Sequence, residues 1–203
     1  IPTRERASYL AYSIQTALNI KDEQIEIVIC DNASKDGTND VVARFDDPRL
    51  VYANTGTRLS MRENFNFAMQ VSSGDYITIV GDDDGIMPGQ FKFLRRIIEQ
   101  YQPDGLSWRR GSYGWPIEGY GKKTGGLRIF QKGVYGSEFG YDPKERNLAR
   151  LMGCQMRSVQ LVSPNLYHGC VSRAYLDRIA PAPDTYFDSS IPDVNFEYRS
   201  ILT

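Results

Sequence analysis

The chain has 203 residues, 41% hydrophobic and 24% charged, the profile of one globular domain with a substantial core. A formal net charge of −1 excludes an overall basic field of the kind that holds nucleic acid, and no apolar run approaches the roughly 20 residues that span a bilayer. Three widely spaced cysteines, Cys30, Cys154 and Cys170, form no CxxC pair, which argues against a zinc ribbon or redox dithiol and for a reducing, cytoplasmic compartment.

The opening "IPTRER" reads as the tail of a strand, and the closing "FEYRSILT" as an unfinished helix, so a piece of a longer protein is expected. Between them, residues 1–110 alternate strand and helix at βα spacing. "SYLAYSIQTALN" sets Leu10, Ile14 and Leu18 on one helical face. "IEIVIC", Ile25 to Cys30, is apolar and β-branched, as a strand covered on both faces should be. A polar loop, "DNASKDGT", leads to a short helix at "NDVVARF" and a weak strand at "RLVYA". "SMRENFNFAMQV" predicts a helix with Met61, Phe65, Ala68 and Met69 inward, stopped by Gly74. "YITIV" is the next strand, Pro88 opens a helix carrying Phe91, Leu94, Ile97, Ile98 and Tyr101, and "DGLSWRR" is the last clear strand of this half. From Gly111 to Gly140 glycines and aromatics suggest long loops with a short strand near "GLRIF". Helical texture returns in "DPKERNLARLMG", in "RAYLDRIA" and after Pro192.

Two polar clusters follow buried strands. In "GDDDG", Asp82, Asp83 and Asp84 repel one another by on the order of 1 kcal/mol per pair even in water, so a positive partner is expected. Such oxygens suit a hard divalent cation, and a solvated acidic turn is the alternative. Asp31 and Asn32 end the strand before "ASKDGT"; they either bond a base or ribose, or form an Asx turn and cap. His168, the only histidine, reads as structural or as facing a substrate. Asp193 either opens a helix behind Pro192 or serves as a general base. Arg62 at a helix start either meets phosphates or faces solvent, and Trp115 either stacks on a sugar or lines a rim.

Taken together, "IPTRERASYL", "IEIVICDNASKDGT" and "SSGDYITIVGDDDGIMPG" resemble, in order and spacing, the family 2 glycosyltransferases. The resemblance covers the first half well and the second loosely, through "PNLYHGCVSRAYLDRI" and "SSIPDVNFEYR". It implies a single α/β domain of the glycosyltransferase A type, Rossmann-like, with a mostly parallel central sheet flanked by helices. Residues 1–110 are then the nucleotide-sugar-binding half, and residues 111–203 the loop-rich acceptor-side half, cut short at the C-terminus. The implied roles are nucleotide contacts for Pro2, Thr3, Asp31, Asn32, Arg62 and Asp82, and metal ligation for Asp83 and Asp84. Asp193 is implied as catalytic base, and His168 and Trp115 lie in the acceptor region. Two positions depart from the commoner family pattern: Asn32 stands where many members have Asp, and Gly81 where the carboxylate motif usually begins. The implied activity is metal-dependent, inverting transfer from a nucleoside diphosphate sugar to an acceptor hydroxyl, with Mg²⁺ or Mn²⁺, in polysaccharide or cell-surface glycan synthesis. A glycan or lipid-linked acceptor, compatible with peripheral association at the inner face of a membrane, is the expected partner. Two alternatives stay open. A sugar-phosphate nucleotidyltransferase would carry glycines in "PTRERASY", which this chain lacks, and a non-catalytic module would use "GDDDG" only to hold calcium.

Overall fold

The computed structural model describes residues 1–108, 110–116, 125–128, 165–167 and 169–202. The helix expected at "DPKERNLARLMG" and the residue His168 lie outside the described residues.

A parallel sheet in the order β1–β2–β3 carries the first half. Its central strand is β2 (Ile27–Asp31), flanked by β1 (Pro2–Thr3) and β3 (Leu50–Asn54). Side chains alternate across β2. Ile27 and Ile29 pack with Leu10, Ile14 and Ala17 of α1 (Ala7–Leu18) and with Val42 of α2 (Thr38–Val42). Leu10, Ile14 and Ile29 are fully buried, each contributing about 1.5–3 kcal/mol by leaving water. α3 (Met61–Val71) lies across β1 and β2. It starts where "SMRE" supplies a capping box, with Ser60 Oγ accepting from Glu63 N at 3.3 Å and Glu63 Oε2 from Ser60 N at 2.8 Å. Its inward stripe is Asn64, Phe65 and Met69; Met61, expected inside, is 58% exposed, because the first helical position lies beyond the reach of the core.

The second sheet is antiparallel, with β8 (Gly169–Ser172) between β4 (Tyr76–Ile77) and β5 (Gly105–Ser107). "YITIV" thus joins a ladder shorter than its apolar run, and Ile79 continues it by donating from its N–H to the Leu166 carbonyl at 2.7 Å. Gly169 has no alternative there: a Cβ would stand 2.1 Å from the Leu106 carbonyl oxygen and 2.3 Å from that of Asn165. β6 (Ser112–Gly114) and β7 (Gly126–Arg128) form a small exposed hairpin ladder, the latter where "GLRIF" is expected. α4 (Pro88–Tyr101) keeps Phe91, Leu94, Ile97 and Ile98 half-buried, with Tyr101 exposed. α5 (Arg173–Ile179) and α6 (Pro192–Leu202) close the second core, where Phe187 and Phe196 meet Phe65, Ile77, Val171 and Leu176. A cleft of about 570 Å³ separates β2 from β4 and α4, lined by apolar side chains including Val28, Ile79 and Ile98. It does not include the acidic cluster, so site chemistry has to be sought elsewhere.

Candidate active site

Strand register builds the site. Thr3, Asp31 and Asn54 stand in one row at the carboxyl ends of β1, β2 and β3, where open α/β sheets bind ligands. The segment after β4 joins that row through Asp82, whose Oδ2 accepts from Thr3 Oγ1 at 2.9 Å. Asp82 is only 8% exposed, so its charge is held by protein rather than by water. Its other oxygen accepts from Arg6 Nη1 at 3.0 Å, and the same nitrogen donates to Asp83 Oδ2 at 2.8 Å. The positive partner of the first two of the three consecutive carboxylates is therefore Arg6. Asp82 foremost, against some desolvation and with help from Asp83, raises the guanidinium above its ordinary range, so this charge is permanent.

Gly81 shapes what remains. A Cβ at Gly81 would lie 2.6 Å from Asp84 Oδ2 and 3.3 Å from Asp83 Oδ1, so the bare glycine is the floor over which both carboxylates fold. That cradle of hard oxygens fits Mg²⁺ or Mn²⁺ in chemistry. Among the described residues, however, no three His, Cys, Asp or Glu side chains are gathered as a metal centre; Asp82 is turned to Thr3 and Arg6 instead.

Asp31 and Asn32 sit where the sequence puts them, with their polar atoms engaged. Asp31, 1% exposed, accepts from Ser34 N at 3.0 Å, Tyr52 Oη at 2.7 Å and Asn54 Nδ2 at 2.9 Å. Through these bonds it couples β2, the following loop and β3. Exposed Asn54 and partly exposed Tyr52 thus become the outer polar groups at this end of the sheet, which periodicity alone does not reveal. Asn32 grips the backbone of Leu59 twice: Nδ2 donates to the carbonyl at 2.9 Å and Oδ1 accepts from the N–H at 2.7 Å. Only an amide can make this pair, since a carboxylate has no hydrogen to donate to Leu59 O. Asn32→Asp is expected to cost about 1–3 kcal/mol by setting an anion against that carbonyl. A lower urea midpoint with an unchanged slope is the readout, and an unshifted midpoint contradicts the assignment.

Trp115, expected toward the acceptor, lies against the acidic cluster. Its Nε1 donates to the Asp83 carbonyl at 3.0 Å. Tyr9, Tyr12 and Tyr113 surround its indole with ring centroids at 5.0, 5.7 and 5.1 Å. Tyr9 and Tyr12 come from α1, so the aromatic wall joins that helix to the region expected from sequence to form long loops.

Asp193 falls in the first turn of α6, behind fully buried Pro192. The helix is tied back to α3 by residues that sequence reasoning missed. Asn66 donates to the Phe187 carbonyl at 2.9 Å and accepts from the N–H groups of Tyr186 and Phe187 at 2.8 and 3.0 Å. Arg199 reaches Asp188 and Asn195 at 2.6 Å each and the Tyr186 carbonyl at 2.9 Å. Arg62 turns to this same segment, donating to the Asp188 carbonyl at 3.5 Å, rather than to the acidic cluster. Tyr167 connects the two regions electrostatically. Burial first, then the charges of Asp193, Asp84, Asp82 and Asp83, push its phenol well above the usual range, so it stays a proton donor in hydrogen bonds.

Comparisons with known proteins show the family and the fold. The chain is 29% identical over 105 residues to the abequosyltransferase RfbV of Salmonella typhimurium, covering 49% of this chain and 31% of that protein. It is 30% identical over 97 residues to the GalNAc(5)-diNAcBac-PP-undecaprenol beta-1,3-glucosyltransferase of Campylobacter jejuni, covering 46% and 31%. The chain spans about a third of the length of these curated relatives. In three dimensions it resembles residues 1–349 of S. aureus TarS, solved with UDP-GlcNAc, with a TM-score of 0.67 at 18% identity over 99% of this chain and 52% of that one. That likeness is one of fold. The model of "Glycosyl transferase family 2" matches residues 1–160, a span that takes in the strand-end row, the Asn32 loop and the carboxylate cradle, and the chain belongs to that family.

Proposed function

We propose that this chain is the catalytic domain of an inverting glycosyltransferase that moves a sugar from a nucleoside diphosphate donor to a hydroxyl of a lipid-linked glycan. The observation that carries the reading is the junction of Thr3, Asp82, Asp83 and Arg6 at the carboxyl ends of the parallel strands. It concentrates fixed charge where an α/β sheet receives a nucleotide. Asn54 and Tyr52, backed by Asp31, meet the nucleoside, and the carboxylate cradle faces the diphosphate. Asp83 and Asp84 would hold Mg²⁺ or Mn²⁺, which would neutralise charge on the departing diphosphate. Asp193 takes the proton from the acceptor hydroxyl as its oxygen bonds to the anomeric carbon. The bond from that carbon to the diphosphate oxygen breaks in the same displacement, so configuration inverts. The half from 111 to 203 supplies the acceptor side, with Trp115 and its tyrosines beside the cradle. A lipid-linked acceptor is supported by the undecaprenol-linked glycan in the name of the Campylobacter relative, and such an acceptor would bring the reaction to the inner face of a membrane.

The test is a thermal-shift screen of UDP, GDP, CDP and dTDP with and without Mn²⁺, because a ligand of the native state must raise its apparent stability. The stabilising nucleotide is then offered as its sugar conjugates, and Mn²⁺-dependent release of nucleoside diphosphate is the expected result. Pyrophosphate release from a sugar phosphate and a nucleoside triphosphate would instead identify a nucleotidyltransferase. Calcium binding without any nucleotide response would identify a binding module.

A further inference from the structure

Arg6 occupies an unusual place for a surface arginine. Its backbone is the N-cap of α1, and its carbonyl accepts from the Tyr9 and Leu10 N–H groups at 3.0 Å each, so the main chain is fixed. Its side chain, 48% exposed, reaches back over the end of β1 and puts one nitrogen between two carboxylates. Asp83, 41% exposed on its side chain, has an open flank toward solvent, whereas Asp82 is 11% exposed and shared with Thr3. One of the two carboxylates that Arg6 holds, Asp83, is also one of the two that would hold a divalent cation. A guanidinium and a dication on one carboxylate repel each other strongly.

We propose that Arg6 is an exchangeable counter-ion: it neutralises Asp82 and Asp83 while the donor site is empty, yields Asp83 to the metal, and turns its guanidinium to the donor diphosphate. This rests on the metal-dependent donor site proposed above and adds a residue to it. The chemistry supports each half of the exchange. Arginine pairs well with both carboxylates and phosphates through a planar set of donors. A metal alone must displace Arg6 without compensation, so it binds weakly. Metal arriving with a diphosphate gives the displaced guanidinium a new anion, so the two ligands bind cooperatively, and the coupling must be reciprocal. Arg6 is thereby a positioning residue for the metal and a binding residue for the donor.

The measurement is Mn²⁺ binding, read by loss of the free-ion paramagnetic resonance signal, for the parent chain, Arg6→Met, Arg6→Gln and Arg6→Lys. Titrations are made alone and with saturating UDP or GDP, and nucleotide affinity is measured separately at saturating Mn²⁺. Arg6→Met and Arg6→Gln are expected to bind Mn²⁺ about tenfold more tightly than the parent without nucleotide, and UDP or GDP about tenfold more weakly with Mn²⁺. Arg6→Lys, which retains the charge, should restore both affinities to within about threefold. Opposite movements of the two affinities are not what a merely structural arginine produces. Unchanged or weaker Mn²⁺ binding in the neutral variants overturns the exchange, while tighter Mn²⁺ with unchanged nucleotide affinity overturns the transfer to the diphosphate. If neither parent nor variants bind Mn²⁺ under any condition, the metal site itself fails together with this inference. If all bind it equally, only the role of Arg6 fails.

Discussion

Asp83→Asn is expected to lower turnover by about 10²–10³-fold, equivalent to ~2.7–4 kcal/mol of lost transition-state stabilisation. The substitution preserves shape and removes one negative charge. Asp83 is the more exposed partner of Arg6, with its Oδ1 over the bare face of Gly81 and its Oδ2 on the guanidinium. Its ion pair is solvent-screened, so losing it should cost the fold only about 0–1 kcal/mol. Asp82 offers no such separation, because its nearly buried carboxylate also receives the Thr3 hydroxyl. Loss of the Asp82 charge would disturb the junction of β1 with the segment after β4. The clean experiment is therefore Asp83→Asn, assayed for nucleoside diphosphate release at saturating donor and Mn²⁺, with the melting temperature recorded beside it. A melting temperature within a few degrees of the parent and a collapsed rate are the expected pair; an undiminished rate removes Asp83 from the donor site.

Asp193→Asn should show a different signature. Turnover is expected to fall by about 10²–10⁴-fold, the usual range for loss of a general base, with UDP or GDP affinity unchanged within about twofold. The split follows from position. Asp193 stands on α6, which is held to α3 through Asn66, Phe187 and Arg199, and is not part of the row formed by Thr3, Asp31 and Asn54. The asparagine keeps a polar side chain in the first turn of the helix and sacrifices about 0.3–1 kcal/mol of favourable interaction with the helix dipole. Were Asp193 only a helix-start residue, the change would appear in the melting temperature and not in the rate. Single-turnover measurement with an acceptor, compared with donor hydrolysis, distinguishes these outcomes.

Much of this architecture was legible before any coordinates. The β-branched run ending at Cys30, the i, i+4 spacing of Leu10 and Ile14, and the serine-to-glutamate spacing before α3 each encode a local structure with one dominant solution. Their physical content is short-range, so a window of a few residues contains it. The carboxylate run after "YITIV" likewise announced a charge problem, because three adjacent anions repel wherever the chain places them. The identity of the counter-charge was not local. Arg6 and Asp83 are 77 positions apart, and "IPTRER" offers two arginines without saying which one turns back over the strand end. Asn32 shows the same limit. Its sequence context suggested an Asx turn or a base contact, whereas its amide clamps Leu59, 27 residues onward.

Periodicity and residue chemistry thus determined the βα scaffold, the strand that ends in acid, and the need for a cation there. The tertiary structure alone decided that Arg6 is that cation, that Trp115 leans on Asp83, and that Asn66 and Arg199 hold the helix bearing Asp193. The physical reason is that helices and strands are set by contacts between neighbours in the chain. A charge or hydrogen bond is satisfied by whatever distant group the folded backbone brings within about 3 Å.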